Sequence, residues 1–132
     1  MPSKLDNALG IHEAALRLRA QRAELLASNL ANADTPNYKA RDIDFKSVLA
    51  AAQSAQGGGG LQTTHARHLS ETGTAASPEV LYRIPLQPSI DGNTVDAQRE
   101  KSEFMQNAIQ YQASLHFIDG QLKILRTAIR GD

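Results

Sequence analysis

The stretch FMQNAIQYQASLHFIDGQLKILRTAI, residues 104–129, decides the fold. Its apolar residues recur every seven positions in two sets that alternate by three and four: Phe104, Tyr111, Ile118 and Leu125 in one, and Ala108, Leu115, Leu122 and Ile129 in the other. This spacing is typical of the a and d positions of a coiled-coil seam. An ordinary amphipathic helix on a globular core is the alternative. However, a helix over residues 94–130 spans about 55 Å at 1.5 Å per residue, longer than a compact domain of this size can cover. We therefore predict a long coiled-coil helix, with Asn93 or Thr94 as its N-cap.

The beginning of the chain predicts a second long helix. Residues 5–32 are rich in helix formers, and Thr35-Pro36 ends the region because proline lacks an N–H and restricts the residue before it. Its apolar residues form two heptad sets on nearly opposite sides of the helix: Leu9, Leu16, Ala23 and Leu30, and Ile11, Leu18 and Leu25. One set can pack on the C-terminal helix, and the other is expected to lack a partner within so short a chain. Neighbouring subunits are therefore predicted to complete the core.

The middle of the chain has a different composition. The run Gly57–Gly60 predicts a flexible linker, and Val80–Leu86 alternates like a strand that Pro85 confines to an edge or a hairpin. The predicted fold is mainly α, with two long N- and C-terminal helices packed as a coiled-coil-like pair and a flexible middle that contains a short β-hairpin-like segment. Three parts follow: residues 1–49 with the first helix, residues 50–92 as the flexible linker with a small β-like region, and residues 93–132 with the coiled-coil helix.

Composition excludes several classes of protein. The 132 residues carry 14 Lys and Arg against 14 Asp and Glu, and this zero net charge argues against nucleic acid as a partner. Cysteine is absent, which excludes disulfides, thiolate metal sites and a cysteine nucleophile. The first residues show no basic head before an apolar run, so no cleaved secretory signal is predicted.

No catalytic motif is present in the sequence. His65 and His68 form an H-x-x-H pair, but a catalytic zinc normally requires a third protein ligand, so a metal-dependent enzyme is the weakest hypothesis. Glu100 and Glu103 are interpreted as ordinary solvated helix charges, because nothing indicates a cleft that shifts their pKa values. We predict no enzyme, no metal, no cofactor and no small-molecule substrate.

The segment LASNLANADTPNYKA, residues 26–40, resembles the N-terminal signature of the bacterial flagellar rod and hook proteins. Physical chemistry explains why these residue types suit the end of a helix. Asn29 and Asn32, one turn apart, can offer amides to neighbouring backbone groups. Asn37 stands where relatives often have glycine and tolerates a positive φ, and Tyr38 can bury its ring while its hydroxyl stays paired. Three further segments point to one group within these proteins, because they resemble the proximal rod proteins of the basal body, the FlgB family. These segments are Arg41–Phe45, Asp91–Asp96 and Tyr111–Ala113.

The resemblance covers residues 1–49 and 91–132 and implies a structural subunit of the flagellar basal-body rod. Such a subunit is exported from the cytoplasm without a cleaved signal peptide and polymerises through its terminal helices into the proximal part of the torque-transmitting drive shaft, in the periplasm. Its implied partners are copies of itself, other rod proteins, the basal-body adaptor, and components of the membrane ring and export gate. The alternative is a small cytoplasmic coiled-coil adaptor or export chaperone, which shares the heptads without needing the signature.

The residues predicted to carry assembly come from both helices and the signature between them. They are Leu9, Ile11, Leu16, Leu18, Leu25, Asn29, Leu30, Asn32, Thr35, Pro36, Asn37, Tyr38, Phe104, Tyr111, Leu115, Ile118, Leu122, Leu125 and Ile129.

Overall fold

The computed structural model describes residues 4–56 and 78–131. The elements in chain order are α1 (Lys4–Ala31), β1 (Arg41–Ile43), α2 (Phe45–Gln56), β2 (Val80–Tyr82) and α3 (Ala97–Arg130). The prediction of a mainly α chain with two long terminal helices is therefore confirmed. The glycine run Gly57–Gly60 and the pair His65 and His68 lie outside the described residues.

The two long helices α1 and α3 pack antiparallel. Contacts at three levels set the direction, because residues earlier in α1 meet residues later in α3: Arg22 with Glu103, Arg19 with Asn107, and His12 with Phe117. The innermost apolar positions of α1 are Ala15, Leu18 and Leu26, and each is less than a tenth exposed. Ala40, just before β1, and Ile43, within it, are also buried, so the core is a narrow strip along α1 that the segment around β1 completes.

The start of α3 differs from the prediction. The helix begins at Ala97, and its N-cap is Asp96, whose carboxylate accepts hydrogen bonds from two backbone N–H groups of the first turn. The predicted caps Asn93 and Thr94 are wrong because both side chains are used elsewhere. The Asn93 amide binds loop carbonyls, and the Thr94 hydroxyl accepts from the backbone N–H of Ala40 at 2.7 Å.

The predicted strand at Val80–Leu86 is present over Val80–Tyr82, but its partner is distant in sequence. It pairs antiparallel with β1, with Arg41 opposite Tyr82. The small sheet therefore closes across the chain rather than within a local hairpin, and it brings Arg83 toward the helices. All three residues of β2 remain exposed.

Helix α2 has no counterpart in the sequence-based prediction. It lies against α1, where the Arg19 guanidinium sits 4.1 Å from the centroid of the Phe45 ring, a cation–π contact. Leu18 is only 4% exposed, and the other residues of the two heptad sets of α1 are half-buried. The expectation that one of the sets lacks a partner within the chain is therefore wrong, because α1 packs against α2 and β1 as well as against α3.

The loop after α1 and the turn before α3 lock together. Asn37 adopts a left-handed φ of 62°, as its tolerance of positive φ predicts, and its N–H donates to the carbonyl of Asp91 at 2.9 Å. Gly92 also has a positive φ, of 76°. A Cβ at Gly92 would lie 2.6 Å from Oδ1 of Asn37, so the Asn37 side chain would have to turn away, and the positive φ is itself strained for any residue that has a Cβ.

Replacing Gly92 by alanine is therefore expected to lower the free energy of unfolding by about 1–3 kcal/mol, since the new methyl group meets both the clash and the strained φ. Urea unfolding followed by circular dichroism measures this. The matched control is Gly120→Ala within α3, where an added Cβ meets nothing within 4 Å. That variant should be unchanged or stabilised by about 0.5–1 kcal/mol. Equal effects of the two variants would contradict the assigned contact.

Candidate assembly surface

The predicted seam of α3 faces outward. We define the α3 seam as the eight residues of the two heptad sets: Phe104, Ala108, Tyr111, Leu115, Ile118, Leu122, Leu125 and Ile129. Leu115 is 44% exposed, Leu122 52% and Ile129 83%, whereas Tyr111, Ile118 and Leu125 are half-buried. The most regular apolar pattern in the chain is therefore left largely uncovered by the chain itself.

A polar stripe of α3 faces α1 instead. The stripe consists of Glu100, Glu103, Asn107 and Gln110, spaced three and four residues apart. Nη1 of Arg19 donates to Oε1 of Gln110 at 2.5 Å, and the Asn107 amide donates to the carbonyl of Arg19 at 2.9 Å. Because these partners hold this side of α3 against α1, the neighbouring seam is turned toward the outside.

The asparagines of the signature segment bind backbone and side chains, as their spacing predicts. Asn29 is fully buried; its amide donates to the carbonyl of Arg41 at 2.7 Å, and its Oδ1 accepts from the N–H of Arg41 at 3.0 Å. Asn32 donates to the carbonyl of Ser28 at 2.8 Å, within its own helix. The Tyr38 ring is half-buried, and its hydroxyl lies 3.1 Å from the Ser28 hydroxyl, so the expected pairing is confirmed.

Asn93 closes the same segment from the other side. Its Nδ2 lies 2.8–2.9 Å from three carbonyl oxygens, and its two N–H bonds are shared among them: those of Asn32, Ala33 and Thr35. These carbonyls follow the last turn of α1, where the helix offers no partner. Nothing in the local sequence of Asn93 indicates this role, because the acceptors are about sixty positions away.

A cluster of five charged residues joins the helices to the sheet. We define the charged cluster as Arg22, Asp42, Arg83, Glu100 and Glu103. Arg22 donates to both carboxylate oxygens of Asp42, at 3.0 and 3.2 Å, and to Glu103 at 2.7 Å. Arg83 donates to Asp42 at 2.5 Å and forms an ion pair with Glu100.

The interpretation of Glu100 and Glu103 as ordinary solvated charges is wrong. Glu100 is fully buried, and it is bound by Arg83 and by the Asn29 amide at 3.1 Å. Glu103 is about a quarter exposed and is bound by Arg22. Buried carboxylates are stable only when they are paired in this way. Helical spacing alone does not reveal the pairing, because both arginines come from other elements.

Electrostatics in the charged cluster favour the ionised carboxylate of Asp42. Burial by itself raises the pKa of Asp42, but hydrogen bonds from Arg22 and Arg83 outweigh it, so the pKa is lowered overall. The same contact with Asp42 raises the pKa of Arg22 against the opposing effect of burial. The pKa of Arg19 is lowered, first by burial and then by the nearby positive charge of Arg22.

Stability should consequently fall in acid. Because the folded chain has the lower pKa at Asp42, the stabilisation is complete above the pKa of the unfolded carboxyl, near 3.9, and is lost as pH falls through the folded value. The contribution of Asp42 to the midpoint of urea unfolding is expected to change little between about pH 7 and 5. Below about pH 4 this contribution, and with it the midpoint, should decline. Asp42→Asn should have a lower midpoint at pH 7 and a shallower decline; an unaltered slope would contradict the assignment.

The predicted assembly residues occupy distinct environments. Among those in α1 and the signature, Leu18 and Asn29 are buried, and Thr35, Pro36 and Asn37 are exposed. The half-buried ones are Leu9, Ile11, Leu16, Leu25, Leu30, Asn32 and Tyr38. The signature residues gather around the turn before α3, whereas the exposed seam residues Phe104, Leu115, Leu122 and Ile129 form a separate face. Arg22, Asp42, Arg83, Asn93 and Asn107 were not among the predicted site residues.

Residues 4–56 and 78–131 contain neither a candidate metal site nor a candidate membrane-spanning helix. No three or more histidine or acidic side chains gather there in a manner that could hold a metal ion. None of the helices there combines the length and the apolar character required to cross a membrane.

Comparison with known proteins identifies relatives over nearly the whole chain. The family of flagella basal body rod proteins matches residues 9–39, which include most of α1 and the loop after it. The flagellar basal body rod protein FlgB of Cereibacter sphaeroides (strain ATCC 17029) is 52% identical over 124 residues, 94% of each chain. The protein of the same name from Escherichia coli K12 is 49% identical over 128 residues, 93% of each. That from Salmonella typhimurium LT2 is 44% identical over 136 residues, 99% of each.

Proposed function

Because this chain belongs to the FlgB family of flagellar basal body rod proteins, and so is a structural subunit of the rod, we propose that its terminal helices carry the assembly. In this proposal neighbouring subunits cover the α3 seam, and the subunits polymerise into the proximal part of the drive shaft that transmits torque. The role is mechanical, and no reaction is catalysed. A cytoplasmic coiled-coil adaptor or chaperone is not favoured, since the relatives are rod proteins.

The exposed seam is the observation that carries this proposal. It extends over residues 104–129, about 38 Å of helix at 1.5 Å per residue. Its heptad spacing is the one that packs side chains between the side chains of another helix. A continuous apolar face of this kind marks an interaction surface. When each copy binds the next through two different surfaces, the contacts do not close on themselves and a helical array results, which suits a rod.

The proposal also covers the partners of the chain and its location in the cell. The neighbours of the chain are other rod proteins and copies of itself, and at the base of the rod the basal-body adaptor and components of the membrane ring and export gate. The chain is exported from the cytoplasm without a cleaved signal peptide and resides in the periplasmic rod. Along the chain, we assign assembly to residues 1–49 and 93–132 and a connecting role to residues 50–92. The positions of α1 and α3 within the outer two parts support it.

Hydrogen exchange tests the proposal directly. Exchange is measured on the isolated chain and on the same chain in purified basal bodies. In the assembled form, backbone amides of residues 104–129 should become strongly protected, whereas those of the buried segment around Asn29 should change little. The chain should also be recovered with purified basal bodies. The adaptor alternative requires instead that it be recovered with one soluble partner. Equal protection of the seam in both states would contradict the proposed surface.

A further inference from the structure

The outer side of β2 has unused backbone hydrogen-bonding groups. The N–H of Arg83 donates to the carbonyl of Ala40 at 2.8 Å, which continues the ladder between the two strands. In an antiparallel pair the direction of bonding alternates from residue to residue, so every second residue counted from Arg83 bonds away from β1. The residues that bond away are Val80, Tyr82 and Ile84. Their backbone N–H and C=O groups have no hydrogen-bond partner within the described residues.

The opposite side of the small sheet is closed by the chain itself. The N–H and C=O of Arg41 point away from β2, and both are bound by the side-chain amide of Asn29, at 3.0 and 2.7 Å. The amide thus takes the place of a further strand. In the part of the chain that the structure describes, the sheet is therefore open along β2 and closed along β1 at Arg41.

The open edge carries exposed apolar side chains. Val80 is 42% exposed, Tyr82 72% and Ile84 85%. Because side chains alternate along an extended chain, these three share one face, opposite to the face from which Arg83 reaches the charged cluster. Pro85 prevents the ladder with β1 from continuing, but the N–H that it lacks would lie on the side of β1. The proline therefore removes no donor from the open edge.

An extended backbone is the partner that fits such an edge. The outward groups repeat every second residue, about 6.8 Å apart, and another extended strand offers N–H and C=O groups at the same repeat. A helix does not, because its own ladder uses its backbone groups. Apolar side chains at alternate positions of an added strand would pack beside those of Tyr82 and Ile84.

We propose that the open edge of β2 binds an extended segment of a different protein as an added strand, and that this segment has apolar residues at alternate positions. Main-chain hydrogen bonds to residues 80, 82 and 84 supply the affinity, and the exposed side chains of the same residues select the partner. Among the elements of the described chain, β2 contacts β1 alone, so the added strand leaves the α3 seam free for other neighbours.

A second copy of the chain does not suit this edge. Among the described residues, the open edge that a second copy offers is its own β2, since Asn29 closes β1 at Arg41 in every copy. Two identical edges pair about a two-fold axis, whereas copies along a rod follow one another head to tail through two different surfaces. The choice of a different protein therefore rests on the proposed function.

Photo-crosslinking identifies the occupant of the edge. A benzophenone amino acid replaces Ile84, which keeps the backbone N–H of that position, and intact basal bodies are irradiated. The adduct is mapped to a peptide by mass spectrometry. The proposal expects one segment of a different protein with apolar residues at alternate positions. An adduct only with a second copy, only with residues of the same chain, or none at all, overturns it.

Hydrogen exchange at single-residue resolution tests the backbone contact in the unaltered chain. In the isolated chain the amide of Arg83 should exchange slowly, because it donates to Ala40, whereas those of Tyr82 and Ile84 should exchange fast. In purified basal bodies the amides of Tyr82 and Ile84 should become slow as well. Slow exchange at both positions in the isolated chain would show that the edge is already covered, and fast exchange in basal bodies that it stays free; either result overturns the proposal.

The variant Tyr82→Pro removes one outward donor. The ladder should persist, because Tyr82 lies opposite Arg41 in a pair that exchanges no hydrogen bonds, so the midpoint of thermal unfolding should shift by only a few degrees. The adduct formed from position 84 should fall about tenfold or more. Tyr82→Val is the matched control, since it keeps the N–H and a side chain that favours strands, and its adduct should persist.

The outcomes for the edge and for the seam are separable. Equal adduct yields from Tyr82→Pro and Tyr82→Val would overturn the added strand; if Tyr82→Pro unfolds the isolated chain, the exchange pattern of the unaltered chain decides instead. If Leu122→Asp blocks assembly and position 84 forms no adduct with another protein, the proposed function stands and this inference fails. If that adduct forms and Leu122→Asp assembles normally, the proposed surface on α3 fails and the added strand is supported.

Discussion

Replacing Leu122 by aspartate is expected to abolish assembly of the rod while leaving the isolated chain folded. Leu122 is 52% exposed in the single chain, so a carboxylate there remains hydrated and costs little. In the proposed rod the same position is covered by a neighbouring helix, where a charge without a partner is strongly unfavourable. Swimming in soft agar and the yield of purified rods measure assembly, and circular dichroism shows whether the helices persist. Leu115→Asp, at a position 44% exposed, should behave alike.

The matched control is Gln106→Asp. Gln106 is exposed on the same helix, and at 100° per residue it lies about 160° around the helix from Leu122. The substitution introduces the same charge outside the seam and should leave swimming and rod yield near normal. Intact rods from Leu122→Asp would show that the seam is not an assembly surface. Equal loss in the control would show that any added charge on α3 is harmful, which would remove the argument for the seam.

The sequence was sufficient to predict the helical framework. Thr35-Pro36 prevents the helix from continuing, and α1 ends at Ala31, four residues before Thr35. Gly131 ends α3 in a left-handed conformation with φ 71°. The heptad sets of α3 likewise depend only on local spacing. Residue type and local backbone also allowed predictions for the signature segment. Asn37, for example, adopts the positive φ that its residue type allows.

The direction in which α3 presents its seam could not be predicted in this way. It depends on which partner each face finds, and the partners of Glu100 and Glu103 are arginines 17 and 81 positions away. Periodicity separates apolar from polar faces, but it does not show that the polar face is the one bound within the chain. Helix α2 was missed because FKSVLAAAQSAQ contains one charged residue and many small ones, a composition that a linker shares. The pairing of β1 with β2 was missed because strand register across a long separation is set by tertiary contacts.

Removing the cation at position 83 should have the largest effect on the stability of the chain itself. Arg83 is about a tenth exposed and lies between Asp42 and the fully buried Glu100. Arg83→Leu leaves the buried carboxylate of Glu100 bound by the neutral amide of Asn29, and leaves Asp42 and Glu103 bound by Arg22. Breaking a buried ion pair from one side typically costs about 3–5 kcal/mol. Urea unfolding followed by circular dichroism should show a loss of this size.

A double-mutant cycle separates the buried charge from the lost packing. In Arg83→Leu combined with Glu100→Gln the uncompensated carboxylate is gone, so the double variant should be more stable than Arg83→Leu alone. Additive losses would show that Arg83 and Glu100 do not interact. The control Arg17→Leu breaks an ion pair with Glu13 in which both side chains are mostly exposed, and it should cost about 0.5 kcal/mol or less. Because the charged cluster holds the polar stripe of α3 against α1, its loss should also release α3 from the orientation that presents the seam, so that Arg83→Leu impairs assembly through the fold rather than at the surface.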